Sequence, residues 1–287
     1  MGTYQTNIEV DGKRIILKQG AFDLHIFFFV LSIMVLLFCL LFYHTNYVKV
    51  VHRAIDTEIP NKIRFIHISD IHGKTHFING SISGIINQEK PDFVIATGDY
   101  ANNLDQLPGV LEELSLIQSP LYLILGNYER EEVGAIFRKI PIDEAVLVKN
   151  FEQYKNMNLL INDYKIFTKQ QSKILIYGFD NSIYGNEYYN PKAEEVKCDY
   201  RLIIAHSPDI INTVAEQNIL YHQILVGHTH GGQIKFLKRF NRKYAHFHTG
   251  MKQIISKQYF CIHPGLGTVK IPFRFNSFPE LTVYKIK

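Results

Sequence analysis

Apolar positions in this chain are distributed in two regimes. Between residues 26 and 43 they are continuous, reading IFFFVLSIMVLLFCLLFY with no charge. That length is enough to cross a hydrocarbon core. A buried core helix would carry a polar face, yet only Ser32 interrupts the run. A signal peptide has a shorter apolar stretch and then small residues. Here His44-Thr45-Asn46-Tyr47 comes next instead. The pattern predicts a polar leader over 1–22, an uncleaved transmembrane anchor over 23–44, a juxtamembrane linker over 45–61 and one domain over 62–287. Lys13, Arg14 and Lys18 precede the span, and Lys49, Arg53 and Lys62 come after it. The positive-inside count is therefore a tie, and the side of the membrane is left open.

Beyond residue 62 the pattern alternates. Short β-branched runs predict strands over 63–69, 93–97 and 121–125, with helices over 82–88, 110–117 and 129–140. Further strands are expected over 201–205 and 223–226, and runs at 174–177, 259–262 and 281–284 fill out a second sheet. Strand–helix alternation implies parallel strands joined by crossover helices, hence an α/β class with a two-sheet core and helices outside. No internal repeat or low-complexity tract marks a second domain.

The strand ends carry the chemistry. They are Asp70-Ile71-His72, Gly98-Asp99, Gly126-Asn127, His206, and the run GHTHGGQ from Gly227 to Gln233. In sheets of this kind ligands sit at the carboxyl ends of the strands. Each motif alone is weak, since a strand-end Asp commonly caps a turn, Gly-Asn commonly caps a helix, and a lone His is commonly a core residue. The histidine run is stronger, because it sets two imidazoles and two adjacent glycines at one strand end. Together the motifs supply three oxygen and four imidazole donors. That set suits two divalent metals sharing a carboxylate, the arrangement that hydrolyses phosphate esters.

In this order the motifs resemble the calcineurin-like metallophosphoesterase superfamily, over nearly all of the region from Arg64 to the C-terminus. His206-Ser207-Pro208-Asp209 and the histidine run resemble its membrane-anchored bacterial branch, as does Gly265-Leu266-Gly267-Thr268 with Pro272 and Arg274. That branch includes phosphodiesterases and UDP-2,3-diacylglucosamine pyrophosphatases. The resemblance implies a four-layer αββα sandwich of two mixed sheets. It also implies that Asp70, His72 and His230 hold a first metal, that Asn127, His206 and His228 hold a second, and that Asp99 bridges both. The metals would be Mn, Zn or Fe. Asn127, Tyr128 and His228 are the expected catalytic residues.

One position departs from the family pattern, in which Gly-Asn is followed by His. Here the segment reads Gly126-Asn127-Tyr128-Glu129. A phenol has a reference pKa of about 10 and is a poorer proton donor than histidine at neutral pH. Either Tyr128 merely fills the slot, or the natural leaving group needs no proton. A diphosphate fits the second case, because it releases a phosphate monoester whose second pKa is about 6.

Composition changes this picture little. The 287 residues are 46% hydrophobic and 20% charged with a formal net charge of +4, a mild bias toward anionic partners of any kind. Cys39, Cys198 and Cys261 are too scattered for a disulfide framework or a cysteine zinc site. Lys235, Lys238 and Arg239 interleave with Phe236, Phe240 and Tyr244 just after the histidine run, and they are candidate substrate-binding residues together with His263. Such a segment suits an anionic lipid surface or a phosphate-bearing substrate; the same composition could stack nucleotide bases or form an ordinary solvated loop. With the anchor, it points to a lipid-linked phosphate. A nuclease or nucleotide phosphodiesterase is the alternative, and a non-catalytic metal-stabilised module a weaker one. No specific nucleic acid and no protein partner are expected.

Overall fold

The computed structural model describes residues 5–10, 13–133, 139–234, 244 and 246–287, which divide into two units, 1–43 and 44–287. In the first unit, the stretch expected to be a polar leader forms a hairpin, Gln5–Val10 antiparallel to Lys13–Lys18. Helix α1 runs over Gln19–Asn46, and its portion Leu24–Asn46 is long and apolar enough to span a bilayer. Phe29 and Leu36 are 66% and 70% exposed, so this helix is not a core element of a soluble fold.

The second unit is built on two six-stranded sheets. The first contains β1 (Lys49–Ile55), β2 (Ile63–Ile68), β3 (Phe93–Ala96), β4 (Leu121–Leu123) and β5 (Met157–Leu159). The second contains β6 (Asp163–Lys169), β7 (Ser172–Gly178), β8 (Tyr200–Ile204), β9 (Gln223–Val226), β10 (Gly250–Ile255) and β11 (Gln258–Ile262). The last strand, β12 (Glu280–Ile286), returns to the first sheet. The orders are β5-β4-β3-β2-β12-β1 and β6-β7-β8-β9-β11-β10. Both sheets are mixed: β2 to β5 are mutually parallel and β12 is antiparallel to β2, while β7, β8, β9 and β11 are parallel between antiparallel edge strands.

Period-two alternation sorts the side chains into layers. Along β2, Ile66 and Ile68 face the helices α2 (Ile82–Gln88) and α3 (Leu107–Ser115), joining Ile82, Ile86, Leu111 and Leu114 in one core. Phe65 faces the other way, into the space between the sheets, with Phe93, Ile176, Leu202 and Tyr284. There the Phe65 ring stacks on both Phe93 and Tyr284 at 5.0 Å between centroids. The outer face of the second sheet, with Ile203 and Ile224, is covered by Ile210 and Val214 of α6 (Ile210–Glu216). The result is the four-layer αββα sandwich.

Three local expectations are corrected. Residues 45–61 are not a linker, because β1 pairs in parallel with β12 along its whole length and Val48 and Ile55 are buried. Strand 281–284 belongs to the first sheet rather than the second, since it pairs with β1 and β2. Where a helix is expected over 129–140, the described residues form the single turn α4 (Asn127–Arg130) and then Glu131–Val133 antiparallel to Lys139–Pro141. Pro141, which has no N–H to donate to a helix, ends that pairing. A further helix, α5 (Glu144–Glu152), is capped by Asp143, whose carboxylate accepts from Ala145 N at 2.9 Å.

Candidate metal centre

The motif residues lie just past the carboxyl ends of parallel strands in both sheets. Asp70 and His72 follow β2, Asp99 follows β3 and Asn127 opens α4 after β4. His206 follows β8, and His228 and His230 follow β9. The first sheet therefore supplies both carboxylates, and the second sheet three of the four imidazoles. At these ends the chain turns sharply. Asp70, His72, Asp99, His228 and His230 all have φ between 49° and 69°. A non-glycine residue held there costs about 1–3 kcal/mol, a strain that clusters at functional sites.

Two glycines make the close approach possible. A Cβ on Gly126 would collide with the Asp99 carboxylate, and one on Gly227 would collide with Ser69 and the Asp70 carboxylate. Without side chains there, backbone and ligand groups interlock. His228 N donates to both Asp70 oxygens at 3.0 and 3.1 Å, and Tyr128 N donates to Asp99 Oδ1 at 3.1 Å.

The donor atoms fall into two groups, Asp70/His72/His230 and Asp99/His206/His228, each with its ligand atoms within 4.8 Å of one another. His72 Nε2 lies 3.2 Å from His230 Nε2. His206 Nε2, His228 Nδ1 and Asn127 Oδ1 form a triangle with 3.1 Å sides. Asp99 Oδ2 lies between the groups, 3.2 Å from His206 Nε2 and 3.7 Å from His72 Nε2. Two of the outer nitrogens are engaged: His72 Nδ1 meets Asn102 Oδ1 at 3.0 Å, and His206 Nδ1 donates to Thr97 O at 2.7 Å. These bonds orient both rings with Nε2 facing inward, as outer partners of metal-binding histidines do.

Electrostatics fit cations as well. Asp70 and Asp99 are buried to 0% and 1% exposure. Burial pushes the Asp70 carboxyl up to about 6. Burial acts the same way on Asp99, but the charge and hydrogen bond of His206, with His72 and His228, outweigh it and hold that carboxyl below its ordinary range. His206 is the counterpart: burial opposes its charge, yet Asp99 raises it to about 9. Burial lowers His72 to about 4 and takes His230 well below its ordinary value, leaving neutral rings ready to coordinate. The Nδ1 atom of His230 is buried without a hydrogen-bond partner. Oxygen and imidazole donors converging on buried carboxylates are a set that divalent Mn, Zn or Fe fits.

Glu129 supports the centre without being a donor in either group. Its buried carboxylate accepts from Asp99 N at 2.9 Å, Tyr100 N at 2.7 Å and Gly126 N at 2.8 Å, stitching two ligand-bearing loops together. The sequence signal was the glutamate three residues past Gly126, the spacing of a capping box.

A cavity of about 540 Å³ opens onto Asp99, Asn127, Tyr128, His228 and His230. The Tyr128 ring meets His72 edge-on at 4.9 Å, and Tyr244 meets His228 likewise at 4.9 Å. Of the expected substrate residues, Lys235, Lys238 and Arg239 lie outside the described residues. His263 does not line the cavity: it is 2% exposed, accepts from Gly265 N at 3.0 Å and packs on His67 at 4.7 Å.

Fold and site together define a metal-dependent phosphoric ester hydrolase. The chain belongs to the calcineurin-like phosphoesterase family, whose model matches residues 63–232. It is 27% identical over 240 residues to "Uncharacterized metallophosphoesterase YkuE" of Bacillus subtilis, covering 78% of this chain and 79% of that one. It is 25% identical over 279 residues to YkoQ of the same organism, covering 91% and 100%. A "Transmembrane protein with metallophosphoesterase domain" from Danio rerio is 24% identical over 82% of this chain, which spans 57% of that longer protein.

Proposed function

We propose that the protein is a membrane-anchored, dinuclear phosphohydrolase that cleaves a phosphodiester or diphosphate bond in a lipid-linked or nucleotide-sugar-lipid substrate. The observation that carries this reading is the convergence of seven donor side chains from two sheets, with Asp99, Asn127, His228 and His230 among them lining one cavity. Asp70, His72 and His230 would hold one ion, Asn127, His206 and His228 the other, and Asp99 both. When bound, two such ions activate a water at neutral pH and clamp the phosphoryl oxygens.

The chain's own groups do the rest. The Asn102 and Thr97 oxygens hold His72 and His206 with Nε2 facing inward. Tyr128 and Tyr244, with Ile234, Val269 and Ile271, line the space open to the substrate. Tyr128 offers a hydrogen bond rather than an acidic proton, which suits a phosphate leaving group.

Lipid linkage is supported by the apolar helix and by two residues at its C-terminal end. Thr45 Oγ1 accepts from Arg274 N at 2.8 Å, and His44 Nδ1 accepts from Asn276 N at 3.1 Å. The residues directly after the apolar stretch are thus fastened to the segment that continues from the cavity-lining Val269 and Ile271. Single-pass residence in the cell membrane is the matching location for such a helix.

The test is hydrolysis by the Mn-loaded full-length chain in detergent, with aryl phosphodiesters set beside UDP-diacylglucosamine and other lipid diphosphates. Preference for the lipid diphosphates is the expected result. Activity on single-stranded nucleic acid or nucleotides in their place would shift the reading to a nuclease, and no turnover with any metal would remove it.

A further inference from the structure

Two sequence features are left unused by the metal centre: Gln233, which closes the histidine run, and the C-terminal stretch with Gly265-Leu266-Gly267-Thr268, Pro272 and Arg274. The fold joins them in one loop, residues 264–277. Arg274 is fully buried and spends its guanidinium on backbone carbonyls. It donates to Gly267 O at 2.9 and 2.5 Å, to Pro264 O at 3.0 Å and to Ser277 O at 3.3 Å. Gln233 works from the other side. Its Oε1 accepts from Val269 N at 2.9 Å, and its Nε2 donates to Ile271 O and to Phe273 O.

The loop is fastened at both ends as well. Gly267 N donates to Asp70 O at 2.6 Å, and Phe275 N donates to Gln233 O at 3.0 Å beside a bridge between Ile234 and Phe275. A segment held by so many bonds has a fixed backbone, which sets the point from which each side chain projects.

Lys270 is the side chain so presented. This residue lies between Val269 and Ile271, both held by Gln233, in a left-handed conformation, φ 63°, and is exposed. It lines the same cavity as Asp99, Asn127 and His228. No described carboxylate pairs with it. Beside it Val269, Ile271 and Ile234 add an apolar wall.

Charge decides the role. The scissile phosphoryl group belongs to the metal centre, so a separate cation in the cavity serves a separate anion. We infer that Lys270 binds an anionic group of the substrate next to the scissile phosphoryl group, the second phosphoryl of a diphosphate. The apolar wall meets the organic group beyond it. A compact ammonium on a flexible stem recognises a phosphoryl group as a point charge. The inference rests on the hydrolase reading above and narrows its substrate to the diphosphate class.

Two comparisons of the full-length, Mn-loaded chain with its Lys270→Ala and Lys270→Arg variants test it. The first is the ratio of kcat/KM for a diphosphate diester to that for a phosphodiester with the same organic groups. Lys270→Ala lowers this ratio about tenfold or more through KM, the size of a lost hydrogen bond to a charged group, and Lys270→Arg restores most of it. An unchanged ratio overturns the inference. The second is equilibrium binding of methylenediphosphonate, which is not hydrolysed. Binding about tenfold weaker in Lys270→Ala supports the assignment, and equal binding overturns it. The second comparison needs no turnover, so inactivity of the wild type would count against the hydrolase reading while Lys270 is still judged by binding.

Discussion

His206 Nε2 lies 3.2 Å from Asp99 Oδ2, deep in the protein, while the other nitrogen of the same ring donates to Thr97 O. In the metal-free protein this is an ion pair, and Asp99 raises His206 to about 9. Both side chains belong to one group of metal donors, with His228.

Metal uptake must therefore expel a proton from His206. Between pH 6.5 and 9, occupation of that group should release about one proton, because a histidine ligand has to be neutral. Affinity there rises with pH over the same window. The sign for stability is opposite in the metal-free chain. His206 has its folded pKa raised above the unfolded value, so its contribution is complete below about 6.5 and is lost as pH rises toward 9. Calorimetric titration with Mn in buffers of different ionisation enthalpy measures the proton count. No buffer dependence would contradict the ion pair.

Asp99 faces both groups of donors, and His228 lies at the second. Asp99→Ala and His228→Ala should each abolish hydrolysis and lower the bound metal below that of the wild type, with circular dichroism unchanged. Metal analysis and a turnover assay on the same preparations check this. Full activity in either variant would show that the centre is not the reaction site.

Tyr128 stands edge-on to His72 where the family pattern has histidine. If the natural leaving group is a phosphate, Tyr128→His should change kcat/KM for a diphosphate by no more than about threefold. For alkyl phosphodiesters, whose leaving group needs a proton, it should raise kcat/KM by about a hundredfold or more, the usual worth of a general acid. A large gain on the diphosphate would show that an acid was missing there too.

Glu129 satisfies three buried N–H groups at once. Glu129→Ala leaves them unpaired and should cost about 3 kcal/mol or more of stability. Thermal or urea unfolding reads the loss, and metal binding should weaken with it because the Asp99 and Asn127 loops separate. A variant as stable as the wild type would mean that water replaces the carboxylate without penalty.

Much of the architecture is legible in the chain itself. The alternation of β-branched runs with helical segments marks the central strands, because parallel strands buried on both faces read as unbroken apolar runs. Phe93-Val94-Ile95-Ala96 is such a run, and all four are buried. The motif residues are legible for the same reason, each lying directly after a run of this kind. The features that escape a sequence reading involve edges and distant partners. Strand β1 contains Lys49, His52 and Arg53 and has no apolar run, and its pairing partner lies more than 200 residues away. The turn after Asn127 looks like the start of a long helix, whereas its glutamate is consumed by bonds to the Asp99 loop.

From the sequence by itself came the donor types, their order, the apolar helix and the two-sheet core. These depend on local periodicity and on which residue ends each strand. Tertiary structure alone decided how closely the donors approach one another, that His206 is paired with Asp99, and that Gln233 and Arg274 fasten a loop displaying Lys270 beside them. Those relationships are made across the seam between the sheets and across gaps of tens of residues. No local pattern encodes such distances; the packing of the two sheets does.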